Sequence, residues 1–398
     1  MSAAASLTPM TATTQIAEAV RAVLGHVYKL RLRAIVLTGS LARDEGTWSC
    51  YKGWVRLIGD AEFLIVFDDG ASFPSSERLP ELKREIETRL RANAIDAEIG
   101  LSPVRPGYLR SLRPHIFAYE LLEHGKVIWG DTRVLDLAPR FSASDIPLED
   151  AFHLLMNRLI ELLEAVCEAD QIEPLTETAR YRAAKLLLDM ATSFLVFQRQ
   201  YESTYLGRAA RLLALAATAA CVPIPLNRFA EQVRLTTKYK LGESQWLPIT
   251  TADDLLVLIE DVHSLWAWEL GRLTNADAGA SDDELIKRWL TKQGRVQRIR
   301  GWASLAKRHG MLASVKSLPR WINQAPKGSP RRLIYASASE QFFALSALLA
   351  SDERDDGVWR QSYQQLPVTG DSRALSSWRD AAKAVAWNYH HFLESTRS

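Results

Sequence analysis

The chain is 398 residues long, 47% hydrophobic and 24% charged, with a formal net charge of +2. That length holds two or three domains, each with its own core, and the composition is that of an ordinary globular protein. A charge balance so close to neutral excludes a molecule that attracts nucleic acid with its whole surface; any such function has to come from local clustering.

Cys50, Cys167 and Cys221 lie far apart, with no Cys/His pairing at zinc-ligand spacing, and so sparse a set fits a reducing compartment. Residues 1–14 are small and polar, lack the basic and apolar regions of a secretion signal, and read as a loose terminus. The longest nearly apolar run, 212–226, is too short to span a bilayer and is broken by Pro223 and Pro225. Together these features predict a cytoplasmic protein without a membrane span.

In chain order, 16–30 has helical periodicity, carried by Ile16, Val20, Val23, Leu24 and Val27. A β-branched run over 33–37 stops at Thr38-Gly39-Ser40. A second apolar run over 62–67 ends in Asp68-Asp69-Gly70, and 80–92 reads as a charged amphipathic helix. Alternation over 95–101 predicts a half-buried strand, and 117–122 and 127–129 read as further strands. Beyond residue 148, i, i+3, i+4 spacing predicts helices over 152–169, 177–200, 205–220 and 251–273. A hydrophilic gap at 275–283 precedes further helices. The expected fold is α+β: a mixed sheet with flanking helices over 1–145, a helical domain over 146–275 and a C-terminal helical region over 276–398.

The chemistry concentrates near the first two strands. After Ile35-Val36-Leu37-Thr38, Gly39 permits close backbone approach, while Ser40 can cap a helix or meet a phosphate. In the next strand, Asp60 and Glu62 are two apart, so both carboxylates point to one face. Paired like charges suit a Mg²⁺ ion, which takes hard oxygen ligands. The strand after that adds Asp96 and Glu98 at the same alternation. Three such carboxylates from neighbouring strands can hold two metals, one to activate an attacking oxygen and one to stabilise leaving pyrophosphate. Taken singly, these residues also fit a plain β-to-α turn and a solvated edge-strand face.

As an ordered set, Gly39-Ser40 with Arg43, Asp60-x-Glu62 and a third acid resemble the polymerase-β-type nucleotidyltransferase superfamily, in the branch of aminoglycoside and minimal nucleotidyltransferases. Residues 123–130 resemble the strand pair that closes that domain, and the resemblance covers about a third of the chain. It implies that Gly39, Ser40 and Arg43 bind the nucleotide, that Asp60 and Glu62 hold Mg²⁺, and that Glu98 is the third acid. Glu98 is preferred to Asp96 because Ile99-Gly100-Leu101-Ser102-Pro103 matches the family's continuation. The implied activity is metal-dependent transfer of a nucleoside monophosphate, AMP from ATP, to a hydroxyl of a small molecule or protein. The chain departs from the compact members in two ways. About twenty residues separate Ser40 from Asp60, which predicts an inserted loop over 48–57, and the second acid is Glu rather than Asp.

In the helical part, Tyr181, Lys185 and Asp189 share one helix face, and the resemblance implies a phosphate contact from Lys185; a surface Lys–Asp pair is the plainer reading. Residues 287–332 are rich in Lys and Arg and include Trp289, Trp302 and Trp321. The stretch could bind nucleic acid, an anionic lipid surface or a phosphorylated sugar, and a solvated helix face is the reading favoured over these. The alternative function is a non-catalytic module that keeps the fold and binds a nucleotide or nucleic acid without turnover.

Overall fold

A computed structural model describes residues 8–75, 77–169, 174–218, 223–277, 279–350, 363–368 and 377–392. Residues 1–7 of the expected loose terminus and 219–220 at the end of the helix expected over 205–220 lie outside these. The fold is α+β, and the chain forms two compact units. The first comprises Met1–Pro147, Arg199–Ala210 and Thr237–Trp246; the second comprises Leu148–Gln198, Arg211–Thr236 and Leu247–Ser398.

The first unit opens with α1 (Pro9–Tyr28), which begins earlier than the periodicity indicated. Thr8 caps it by accepting from the Thr11 N–H at 3.3 Å, and Pro9 occupies the first turn, where its missing N–H costs nothing. β1 (Leu32–Leu37), a short α2 (Gly39–Ala42), β2 (Trp48–Tyr51), β3 (Trp54–Phe67), α3 (Arg78–Arg91), β4 (Ile95–Val104), α4 (Pro106–Arg110), α5 (Ile116–His124) and β5 (Lys126–Gly130) follow. β3 is the spine of a mixed five-stranded sheet. β1 and β2 run antiparallel to its two halves, β5 runs antiparallel to β1, and β4 pairs parallel to β3 after the α3 crossover.

Strand alternation divides the core in two. Val55, Leu57, Ala61, Phe63 and Ile65 of β3 face one layer with Ala97 and Ile99 of β4, under Ile16 and Val20 of α1 and Leu82, Ile86 and Leu90 of α3. Leu64 and Val66 face the other way with Ala34 and Val36 of β1, under Leu109, Leu112, Ala118 and Leu121. Asp60 and Glu62 continue that second face beyond its helical cover, where both are exposed.

Three local expectations are corrected. The stretch expected as a strand over 117–122 is helix α5, because His115 caps it through the Ala118 N–H at 3.0 Å and Ala118 and Leu121 form an i, i+3 apolar stripe. Residues 123–130 are consequently a helix end and one strand, not a strand pair. The expected inserted loop over 48–57 is a β-hairpin: Lys52 and Gly53 both take positive φ (47° and 81°), the backbone that a two-residue hairpin turn requires.

The second unit is helical. It contains α6 (Leu148–Glu168), α7 (Glu177–Phe197), α10 (Ala252–Thr274), α11 (Asp282–Thr291), α12 (Arg295–His309), α13 (Met311–Gln324), α14 (Pro330–Ala350) and a helix at Trp378–Phe392; α8 (Tyr205–Ala216) and α9 (Leu226–Lys240) each contribute residues to both units. Thr176, Thr251 and Ser281 cap α7, α10 and α11. No helix among the described residues is long and apolar enough to cross a membrane.

Candidate functional site

The Thr38-Gly39-Ser40 turn leaves the end of β1 directly against β3. The Thr38 N–H donates to the Glu62 carbonyl at 2.9 Å, and the Thr38 hydroxyl donates to the same oxygen at 3.3 Å. Gly39 has φ +67°, and a Cβ there would overlap the Glu62 carboxylate. Two constraints therefore converge on glycine: left-handed backbone, and a carboxylate in contact with the turn. Ser40 is half-buried; its carbonyl accepts from the Glu45 N–H at 2.8 Å, and its hydroxyl makes no hydrogen bond among the described residues.

Register decides which acids share the face. In the parallel β3–β4 pair, Asp60 is the Cα partner of Glu98, and Glu62 of Gly100. Asp60, Glu62 and Glu98 are all exposed, while their neighbours Ala61, Phe63, Ala97 and Ile99 are buried. Upstream, Arg56 partners Asp96, and a bulge containing Gly59 (φ +123°) lies between the two pairings. The Arg56 guanidinium reaches Asp96 at 3.3 Å, so Asp96 has a cation of its own and Glu98 is the acid opposite Asp60.

Arg43 is engaged in a buried ionic network. It donates to Glu45 at 2.9 Å and to Glu120 at 2.5 Å. Burial works against its charge, but Glu120, then Tyr205 and Glu45, outweigh that cost and hold its pKa above the ordinary range. Glu120 also accepts from the Tyr201 hydroxyl at 2.6 Å, Glu45 accepts from the Tyr205 N–H at 2.6 Å, and Arg208 stacks over the Tyr205 ring at 4.4 Å. Burial, with Glu120 beside it, pushes the Tyr201 phenol well above its usual range. Both carboxylates thus brace the segment that follows Ser40, and Arg43 is part of that brace. Tyr201, Tyr205 and Arg208 carry no local motif; they meet Glu45 and Glu120 only because residues 199–210 return to the first unit.

Lys185 lies in the second unit. Its ammonium is 3.8 Å from Glu161, which also pairs with Arg158 and Arg182 at 2.6 Å. Burial, and then the neighbouring Arg158, pull its pKa down to about 8. It belongs to an ionic cluster between α6 and α7 rather than to a surface pair. Trp289 and Trp321 are buried, and Trp302 donates its indole N–H to the Gly328 carbonyl at 3.0 Å.

Among the described residues, no three His, Cys, Asp or Glu side chains gather into a group able to hold a metal by themselves. A Mg²⁺ ion that arrives on a triphosphate requires less, since it keeps waters and takes one or two carboxylates together with phosphate oxygens. Asp60 and Glu98, register partners on adjacent strands about 4.8 Å apart, are a hard-oxygen pair of that kind. Compared with known proteins, the chain matches no family model and no curated protein.

Proposed function

We propose that the first unit is a nucleotidyltransferase that moves AMP from ATP onto a hydroxyl of a small molecule or a protein. The acceptor oxygen bonds to the α-phosphorus, the bond from that phosphorus to the bridging oxygen breaks, and pyrophosphate leaves. A carboxylate of the exposed face takes the acceptor's proton. Mg²⁺ arriving with the triphosphate would be held by Asp60 and Glu98 together with phosphate oxygens and would supply charge neutralisation, with Glu62 at the turn left as the third acid of the face. Gly39 lets the backbone approach the phosphates, and the unengaged Ser40 hydroxyl donates to one of them. Glu45, Arg43 and Glu120 hold the turn in place, so the chemistry rests on positioning and electrostatics. Lys185, engaged with Glu161, has no assigned part.

One observation carries this reading: the parallel register sets Asp60 opposite Glu98 on the exposed side of the sheet, while the Glu62 carboxylate touches Gly39 of the turn. Among the described residues no three-carboxylate group stands ready, which favours, as a second reading, a module that binds nucleotide without turnover. Labelled ATP with Mg²⁺ and a panel of hydroxyl acceptors separates the two. The expected result is pyrophosphate release that falls on the order of 10²–10³-fold in Asp60→Asn and Glu98→Gln and stays near the parent level in Asp96→Asn. Nucleotide binding with no release across the panel would establish the non-catalytic module.

A further inference from the structure

Between Glu284 and Glu340 the chain carries thirteen Lys and Arg residues and not one Asp or Glu. Part of that charge is used internally. Arg288 pairs with Glu284 and Arg332 with Glu149; Arg320 donates to the Leu366 and Gln364 carbonyls, and Arg298 to that of Pro326. Arg295, Arg300 and Lys307, all on α12, have no carboxylate partner among the described residues.

The 100° step of an α-helix arranges α12 in stripes. Leu305 is buried, and Arg298 and Trp302 on the same side are half-buried. On the opposite side Val296, Ile299 and Ala303 form an apolar row, with Arg300 and Lys307 along one border and Arg295 along the other. Val296 is 61% exposed and Ile299 68%. On the neighbouring α13, Leu318 and Ile322, one turn apart, are 49% and 63% exposed. A single exposed aliphatic residue is ordinary; a row of them bordered by unpaired cations is the layout of a helix lying in a headgroup layer.

We propose that the solvent face of α12 docks onto an anionic lipid bilayer. Val296 and Ile299 would enter the headgroup–acyl boundary, while Arg295, Arg300 and Lys307 engage lipid phosphates and carboxylates. A second copy of the chain fits poorly, because a two-fold contact on this face would bring its own cations together. Nucleic acid also fits poorly. Trp289 and Trp321 are packed inside at 2% and 6% exposed, Trp302 is half-buried on the other side of α12 with its N–H donated to the Gly328 carbonyl, and an aliphatic row gains nothing against a phosphodiester backbone. Because no described helix can cross a bilayer, the contact is peripheral, reversible and weakened by salt.

The test is co-sedimentation of the full chain with vesicles of phosphatidylcholine alone or mixed with phosphatidylserine. The expected result is pelleting with the mixed vesicles only, declining as salt is raised. A near-surface cation contributes about fivefold in partition, so Arg300→Glu with Lys307→Glu should lower it by more than roughly tenfold. Val296→Ser with Ile299→Ser should lower it while leaving the salt dependence unchanged. If charge reversal disturbs folding, as circular dichroism would reveal, the neutral pair Arg300→Gln and Lys307→Gln gives the same comparison. Equal pelleting with neutral vesicles, a partition indifferent to these substitutions, or displacement from vesicles by a single-stranded RNA would each overturn the proposal.

Discussion

Gly39 has two neighbours that no other residue could satisfy together: a backbone at φ +67° and a carboxylate where a Cβ would be. Gly39→Ala is therefore expected to cost about 1–2 kcal/mol for the left-handed backbone, read as a lower urea midpoint at unchanged m-value. Because the overlapping atom is the mobile end of Glu62, the methyl group displaces that carboxylate rather than the strand. Pyrophosphate release should then fall much further than stability does. Equal losses in both would mean that the contact between Gly39 and Glu62 is packing alone. Gly39 and the Asp60/Glu62 pair were legible as candidates from their order and spacing. The contact between them was not, because it depends on how β1 and β3 align.

Helices and strands were legible where periodicity is strong. α3 and α7 follow their apolar stripes, and β4 alternates as its residues suggest. α5 was read as a strand because its aromatic and leucine-rich run is short, and a run that short carries no decisive period; the His115 cap and the cover of Ala118 and Leu121 settle it. The interior of α10 yields a pH prediction. Glu269 is fully buried against Ser193, whose hydroxyl donates to it at 2.6 Å, and its second carboxylate oxygen has no partner. Burial raises its pKa to about 8, above the unfolded value near ~4.3. Below about pH 4 both states are protonated and the group has no effect. Between there and pH 8 only the folded state keeps the proton, so stability falls with rising pH by up to about 1.4 kcal/mol per unit. Glu269→Gln should flatten the urea-midpoint profile between pH 5 and 8, with its largest gain at pH 8. A parallel profile in the variant would show that Glu269 is not the titrating group.

At the scale of the whole chain, the first unit is not contiguous. Arg199–Ala210 and Thr237–Trp246 belong to it, and they bring Tyr201, Tyr205 and Arg208 to the buried carboxylates of Glu45 and Glu120. A fragment of residues 1–147 would keep Arg43 between Glu45 and Glu120 but lose the Tyr201 hydroxyl, the Tyr205 N–H and Arg208, and each buried carboxylate oxygen left without its hydrogen bond costs about 1–3 kcal/mol. Such a fragment is expected to unfold with a broad, low-midpoint transition, whereas a fragment of 1–246 retains a sharper one in circular dichroism. A cooperative, stable fragment of 1–147 would show that the returning segments are accessory.

What the sequence determined by itself is local: that helices run over 177–200 and 251–273, which faces are apolar, and that a glycine–serine turn is followed by acids at strand spacing. Those are properties of a few neighbouring residues, read through fixed periods of 3.6 and 2. Only the tertiary structure decided that Asp96 is paired with Arg56 and Glu98 lies opposite Asp60, because a bulge at Gly59 sets that register. Only it assigned Arg43 to a brace with Glu120, and Lys185 to a cluster with Glu161. Partners separated by tens of residues leave no period in the chain, and long-range pairing of charges is chosen by the cost of burying them, which exists only once the core has closed.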